Sequence, residues 1–186
     1  MGWVQGEIMK RLEVESIFQR HGASDYRWIA PVNIEVAQWV RIKCMFGCPN
    51  YGKGGCCPPN VPSVEECKRF IHEYRNAVVF HFEKYVKNPE TRHRWTSTIN
   101  KRLFAIEREV FLLGYWKAFM LYIDSCSICS ECLGSRIECR NKKVARPTPE
   151  AFGIDVYSTV KKVGYPIQVL RDYTEPMNRY AFLLIE

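Results

Sequence analysis

The chain has 186 residues, of which 47% are hydrophobic and 25% are charged, and its formal net charge is +7. This composition is ordinary for a globular protein and allows one domain with a hydrophobic core. No apolar run approaches the roughly 20 residues that a membrane helix needs. The N-terminal stretch also carries acids where a signal peptide would be apolar. We therefore expect a cytoplasmic protein that does not associate with membranes.

Helices and strands are predicted in alternation along the first half of the chain. A loosely amphipathic helix is predicted over residues 7–20, and the alternation over residues 39–43 indicates a short strand that leads to Cys44. A capping box at the start of residues 63–74 opens a second helix. Residues 77–82 are rich in β-branched and aromatic side chains, which is typical of a core strand.

The second half continues the alternation. Apolar residues recur at three- and four-residue steps over residues 90–113, which predicts the strongest helix of the chain. An apolar strand is predicted over residues 118–123, and a helix that opens with Thr-Pro and ends at a glycine is predicted over residues 148–164. Residues 167–170 and 179–185 are predicted to be the final strands.

These elements place the chain in the α/β class. We predict a single domain spanning residues 1–186, in which helices flank a small mixed sheet. Two cysteine-rich loops, at about residues 44–59 and 124–147, lie between these elements and contain eight of the nine cysteines. Cysteines in a reducing compartment favour metal ligation over disulfides. Both loops are therefore predicted to bind metal.

The second cysteine loop has the more specific spacing. It reads Cys126-x2-Cys129-x2-Cys132, and Cys139 follows. Three thiols at this spacing fit neither one helix face nor one strand face, but they suit a loop wrapped around a compact multi-atom centre. Bacterial ferredoxins bind [4Fe-4S] clusters with the same spacing and a more distant fourth cysteine. Zinc sites more often use two separated Cys-x2-Cys pairs. We predict a [4Fe-4S] cluster held by these four cysteines, with zinc as the alternative.

The first cysteine loop contains Cys44-x3-Cys48 and the adjacent pair Cys56-Cys57 among several glycines. Glycine allows the backbone to fold tightly around an ion or a cluster. Neighbouring side chains diverge, so adjacent cysteines rarely ligate one centre together. Cys44, Cys48 and one member of the pair are therefore the predicted ligands of a second metal centre. With three thiolates, one coordination position is left for a substrate, water or another ligand, by extension of the logic of catalytic zinc sites.

Several other side chains have two interpretations. Tyr51 and Lys53 are catalytic candidates, because their hydroxyl and ammonium groups could orient or protonate a group at the open position. Alternatively, Tyr51 packs over the metal and Lys53 is solvated. Cys67 falls within the capped helix and is interpreted as a small buried hydrophobe. Arg146 and Glu150 could take part in catalysis, but the favoured interpretation is that they pair and brace the second loop.

The two cysteine motifs and their flanks resemble a family of predicted metal-binding, cysteine-rich proteins of unknown function, found largely in anaerobic archaea and bacteria. The resemblance covers about residues 35–186. The matching segments are Cys44-x3-Cys48-Pro-x-Tyr51-Gly52-Lys53, Cys57-Pro-Pro, Cys126-x2-Cys129-x2-Cys132-Leu-Gly, Cys139-Arg, Arg146-Pro147, Glu150-Ala151 and Gly153-Ile154-Asp155-Val156. The resemblance implies iron–sulfur binding but no particular reaction. It favours Cys57 over Cys56 as the third ligand, so Cys56 is expected to point away from the metal.

The leading functional hypothesis is an iron–sulfur protein with two centres. It would act in anaerobic electron transfer with a redox partner protein, or as a small redox enzyme whose open iron in the first loop binds a small-molecule substrate. The alternative is a zinc-stapled binding module for protein or nucleic acid. Nucleic-acid binding is disfavoured because the basic pairs are scattered along the chain and form no aromatic-interleaved stripe.

Overall fold

The computed structural model describes residues 2–85, 88–172 and 175–186. These residues form five α-helices and four strands. In chain order they are α1 Gly2–Arg20, β1 Tyr26–Ile29, α2 Gln38–Gly47, α3 Val64–His72, β2 Asn76–Lys84, α4 Pro89–Leu112, β3 Phe119–Leu121, α5 Val156–Lys162 and β4 Met177–Ile185. Two 3-10 helices, Pro31–Asn33 and Glu150–Phe152, complete the secondary structure of these residues.

The four strands form one sheet in the order β1-β2-β4-β3. Each pairing is antiparallel, where a mixed sheet was predicted. The long pair β2 and β4 forms the centre, with Phe80 opposite Ala181 and Val78 opposite Leu183. The predicted α/β class, with a small sheet flanked by helices, is confirmed.

Helices cover both faces of this sheet. Because side chains alternate along a strand, Val78 and Phe80 of β2 pack with α1 and α4 on one face. Ala77 and Val79 pack on the other face with α3, α5 and the 3-10 helix Glu150–Phe152. Burial on both faces explains why β2 and β4 read as nearly continuous apolar runs rather than as polar–apolar alternation.

Helices α3 and α4 agree with the sequence prediction. Ser63 caps α3: its hydroxyl accepts from the amide of Glu66, and the Glu66 carboxylate accepts from the amide of Ser63, as the capping box predicts. Cys67 of α3 is buried in the core, as expected. Helix α4 ends just before Gly114, whose φ of +103° lies in the region that favours glycine.

Three predicted elements are corrected by the structure. Residues 39–43 belong to helix α2 and not to a strand. Most apolar side chains of α2 are exposed, so its sequence lacks the helical periodicity of a buried face. The helix predicted over residues 148–164 is broken at Gly153, where φ is +77°, and α5 begins only after Asp155, which caps it. Residues 167–170 form no strand.

This architecture brings the two cysteine loops together. The first loop leaves the C-terminal end of α2, and the second leaves the C-terminal end of β3. Among the described residues, no helix is both long enough and apolar enough to cross a membrane.

Candidate metal centre

Asp124 holds the start of the second cysteine loop. Its carboxylate accepts two hydrogen bonds from Arg92, at 3.0 and 3.2 Å, one from Thr96 at 2.9 Å and one from Arg179 at 3.1 Å. Burial alone would raise the pKa of Asp124, but the charges of Arg179 and Arg92 hold it below its usual value. The backbone of Asp124 is left-handed, with φ of 52°. The fixed carboxylate therefore sets the direction in which the chain leaves β3 toward Cys126.

Arg146 holds the end of the same loop. Its guanidinium makes a bidentate pair with Glu107 of α4, with Nη2–Oε1 at 2.5 Å and Nε–Oε2 at 2.9 Å. Glu107 is only 6% exposed, and it also accepts from the amide of Met120 at 3.3 Å. The expected Arg146–Glu150 pair is therefore wrong, because the partner of Arg146 is Glu107.

Three hydrogen bonds to backbone carbonyl groups close the base of the loop between these two ion pairs. The Tyr122 hydroxyl donates to the carbonyl of Val144 at 2.9 Å, and the Tyr122 amide donates to the carbonyl of Pro147 at 2.9 Å. The Asn100 amide group donates to the carbonyl of Ile123 at 2.9 Å. The segment predicted as the second loop, residues 124–147, is thus clamped at both ends against α4 and β4.

The first loop packs directly on the second. The Gly55 amide donates to the Cys132 sulfur at 3.4 Å, and the Asn60 side chain donates to the carbonyl of Gly134 at 2.8 Å. A Cβ atom on Gly55 would lie 2.8 Å from the carbonyl oxygen of Ser135, which is closer than side chains tolerate. Glycine at this position lets the two backbones approach each other.

A cavity of about 160 Å³ lies between the two loops. Six thiol-bearing residues line it: Cys56, Cys57, Cys126, Cys129, Cys132 and Cys139. All four cysteines predicted to hold a [4Fe-4S] cluster are therefore brought to one place. Among the described residues, however, no three His, Cys, Asp or Glu side chains converge closely enough to hold a single metal ion. The six thiols line the wall of the cavity and do not converge on one position in it.

Hydrogen-bond donors face several of these sulfurs. The Asn141 amide group donates to Cys129 at 3.0 Å, and the Gly55 amide donates to Cys132. Arg136 places its Nη1 4.0 Å from the Cys56 sulfur. Donors and positive charge stabilise thiolates, which are the form in which cysteine binds a metal. The cysteines and the hydrogen-bond donors around them therefore fit a metal group that is bound by thiolates.

Cys56 was expected to point away from the metal, and the structure corrects this. Its side chain is 6% exposed and lines the cavity. Its interaction with the neighbouring Cys126 thiol lowers the pKa of Cys126 to about 6 and raises that of Cys56. Cys56 therefore faces the cysteines of the second loop.

Cys57 also lines this cavity and lies among cysteines of both loops. Burial and nearby thiolate charge, first that of Cys44 and Cys48 and then that of Cys126 and Cys132, raise the pKa of Cys57 to about 11. Burial and Cys48 likewise raise the pKa of Cys44. Cys44 lies in the last turn of α2 and Cys48 is its C-cap, so the end of this helix sets their spacing. Crowded thiols of this kind resist ionisation until a cation offsets their charge.

A second, larger cavity of about 570 Å³ is lined in part by Cys44 and Cys48. Its wall is mainly apolar and aromatic, and includes Trp39. Glu150 also lies on this wall. Cavities of this size and character accept small molecules.

The two catalytic candidates lie elsewhere. Lys53 lines the smaller, cysteine-rich cavity, whereas Tyr51 lines neither cavity. Neither residue faces the larger cavity beside Cys44. Their catalytic role remains a prediction.

Sequence reasoning missed the clamp on α4. Thr96, Asn100 and Glu107 are spaced four and seven residues apart, so they share one helix face, and each is at most 6% exposed. The sequence did contain a signal for this clamp, since these polar residues form a stripe beside the predicted core face of the helix. Buried polar groups require hydrogen-bond partners, so such a stripe predicts contacts with another part of the chain.

The fold and the site together define an α/β protein whose cysteine-lined cavity has the donor set of a metal centre. The chain belongs to the family described as predicted metal-binding protein (DUF2284), whose model matches residues 27–185. This match includes both cysteine loops and all four strands except the first residue of β1. Comparison with curated proteins and with solved structures gave no match.

Proposed function

We propose that this protein binds two iron–sulfur centres and transfers single electrons. The observation that carries the proposal is the cavity of about 160 Å³ lined by six cysteines, no three of which, among the described residues, converge as a single-ion site requires. A cavity of about 150 Å³ holds a group as large as benzene. A compact cluster of several iron and sulfur atoms suits such a space better than one zinc ion.

In this proposal the cysteines divide into the two sets that the sequence predicts. Cys126, Cys129, Cys132 and Cys139 hold a [4Fe-4S] cluster. Cys44, Cys48 and Cys57 hold the second centre, which is supported by the position of Cys44 and Cys48 together at the end of α2. When bound, such clusters supply one-electron redox chemistry, at potentials set by charge, sulfur hydrogen bonds and solvent exposure.

The residues around the cavity would tune the cluster in the second loop. Asn141 and the Gly55 amide donate toward sulfur, which stabilises the more negative, reduced state. Arg136 adds positive charge beside Cys56. Packing of the first loop across the cavity limits the access of water. A protein partner in a reducing cytoplasm would exchange electrons with this centre.

The larger cavity favours a second candidate function, that of a small redox enzyme. The cavity joins Cys44 and Cys48 to a space large enough for a small organic substrate. Glu150 on its wall is a candidate for proton transfer, because its carboxyl group lines the same cavity as Cys44 and Cys48. In this enzyme form the first centre would keep one iron open to the substrate. Cyanide should then change the spectrum of the first centre and leave the second centre unchanged.

Metal and sulfide analysis of the anaerobically purified protein tests the proposal. We expect a brown protein with about eight irons and eight inorganic sulfides per chain if both centres are [4Fe-4S]. A colourless protein with stoichiometric zinc and no sulfide would refute the proposal and support the zinc-stapled module.

A further inference from the structure

Helix α2 carries most of its large apolar side chains on its outward face. Trp39, Ile42 and Phe46 lie three and four residues apart, so they share one side of the helix. Phe46 is 82% exposed, and Trp39, Ile42 and the adjacent Met45 are each between 45% and 49% exposed. Large apolar side chains grouped on one exposed face mark a surface that a partner covers.

The opposite side of α2 attaches the helix to the rest of the fold. Val40 is buried on this side. Nη2 of Arg41 donates hydrogen bonds to the carbonyl oxygens of Pro62 and Ala151, at 3.0 and 2.9 Å. Because Val40 and Arg41 occupy the inward side, the helix cannot bury its apolar face within this chain without losing these contacts.

The segment that contains this face carries positive charge and no negative charge. No Asp or Glu occurs between Glu35 and Glu65, a stretch that includes α2 and the whole first loop. Its exposed cations are Lys43 and Lys53, and within the described part of the chain neither lysine forms an ion pair. Nζ of Lys43 lies 5.9 Å from the ring centroid of Trp39. Electrostatic complementarity therefore favours a partner that brings negative charge.

The outward face of α2 also lies beside the candidate first centre. Phe46 stands between Cys44 and Cys48 in the sequence, at the C-terminal end of α2, and Cys48 is exposed. Lys53 lines the cysteine-rich cavity, and Lys43 lines the larger cavity together with Cys44 and Cys48. A protein that covers Phe46 therefore comes close to candidate metal ligands, as electron transfer between two proteins requires.

We propose that the outward face of α2 is the docking surface for an acidic electron-carrier protein. The apolar centre of the partner covers Trp39, Ile42 and Phe46. Its carboxylates face Lys43 and Lys53. This inference rests on the proposed function, and it makes the first centre the point at which electrons enter or leave on their way to or from the second-loop cluster. Electron-transfer complexes bury less than about 1,200 Å², so one helix of 10 residues and the loop after it form a sufficient surface.

Two other occupants fit these observations less well. A second copy of the chain, docked through the same face, would place two positively charged segments against each other, and like charges oppose association. Anionic membranes are recognised by clusters of about four to eight cations. This segment exposes only Lys43 and Lys53.

Binding of two acidic carriers, a plant-type ferredoxin and a flavodoxin, tests the docking surface. Isothermal titration calorimetry of the anaerobically purified protein with each oxidised carrier measures the dissociation constant without any electron transfer. We expect binding that weakens about tenfold or more between about 0.05 M and about 0.5 M salt, because salt screens the charges at the rim. Ile42→Ser and Phe46→Ser should each weaken binding about fivefold or more. Lys43→Glu should weaken binding at low salt and approach the wild type at high salt.

Two exposed residues of α4 provide matched controls. Leu112→Ser removes an apolar side chain that is 64% exposed, and Lys101→Glu reverses an exposed charge. Both variants should bind the two carriers like the wild type, because they lie outside α2 and outside both cysteine loops.

The iron content of the same samples separates this inference from the proposed function. A wild-type protein without iron and sulfide would refute the proposed function, whatever it binds. If the iron-loaded wild type binds neither carrier, or if the α2 variants keep their iron and bind like the wild type, only the docking surface is refuted. Binding to phosphatidylserine vesicles that Phe46→Ser abolishes, or a dimer that Phe46→Ser dissociates, would also overturn it. If Phe46→Ser loses iron, Lys43→Glu decides.

Discussion

Replacing Glu107 with alanine should destabilise the protein more than removal of any surface ion pair. The Glu107–Arg146 pair is nearly buried, with side chains 8% and 15% exposed. Removing the carboxylate leaves the guanidinium and the amide of Met120 without this partner. Removing one partner of a buried ion pair costs about 3–5 kcal/mol. This is a large part of the roughly 5–15 kcal/mol that holds a domain folded.

Thermal and urea unfolding, each followed by circular dichroism, measure this cost. For a chain of this length, each kcal/mol lowers the melting temperature by about 2–4 °C, so a fall of roughly 6–20 °C is expected. Glu107→Gln should cost less, because its amide retains an acceptor for both donors. Because Arg146 closes the cysteine loop, Glu107→Ala should also reduce bound iron.

Glu35→Gln is the matched control for this prediction. The Glu35–Lys162 ion pair is exposed, with side chains 50% and 40% accessible. Exposed pairs contribute about 0–1 kcal/mol, so this variant should unfold almost like the wild type. If Glu107→Ala were as stable as Glu35→Gln, the ion pair at the end of the second loop would not contribute to the stability of the fold, and the prediction would be wrong.

Three further predictions concern the loops. Asp124→Asn should be less stable than the wild type near neutral pH, because the folded state holds the pKa of Asp124 below its unfolded value of about 3.9. In urea titrations this difference in stability should shrink as the pH falls below about 4. A difference that does not depend on pH would contradict the ion-pair account. Gly55→Ala should force the loop away from Ser135 and lower the iron content, whereas Gly47→Ala, whose added Cβ would have no neighbour within 4 Å, should retain the iron. Cys129→Ser should lose one cluster, and full iron with an unchanged visible spectrum would rule out Cys129 as a ligand.

The fold could be predicted from the sequence where local signals and burial agree. Helix α4 is long and its apolar residues are periodic, and α3 begins with a capping box. Strand β2 is an apolar run with polar residues at both of its ends. Helix α2 could not be predicted in this way. It exposes Trp39, Ile42 and Phe46, so its apolar residues do not mark a buried face.

The candidate site was predictable in composition but not in arrangement. The spacing of Cys126, Cys129 and Cys132 identified the loop, but spacing carries no information about what lies across from it. The inward position of Cys56 depends on the packing of Gly55 against Ser135, which is a contact between residues about 80 apart in the chain. The role of Glu107 could not be predicted for the same reason, because its partner Arg146 lies 39 residues away in the chain.

Mössbauer spectroscopy of iron-isotope-enriched protein, prepared anaerobically, tests the central claim most directly, because it reports the state of every iron atom. Two [4Fe-4S] centres predict about eight irons per chain, all with the averaged valence and the thiolate-and-sulfide coordination of such clusters. A single ferrous ion in an isolated thiolate site, or a folded protein without iron, would contradict the account.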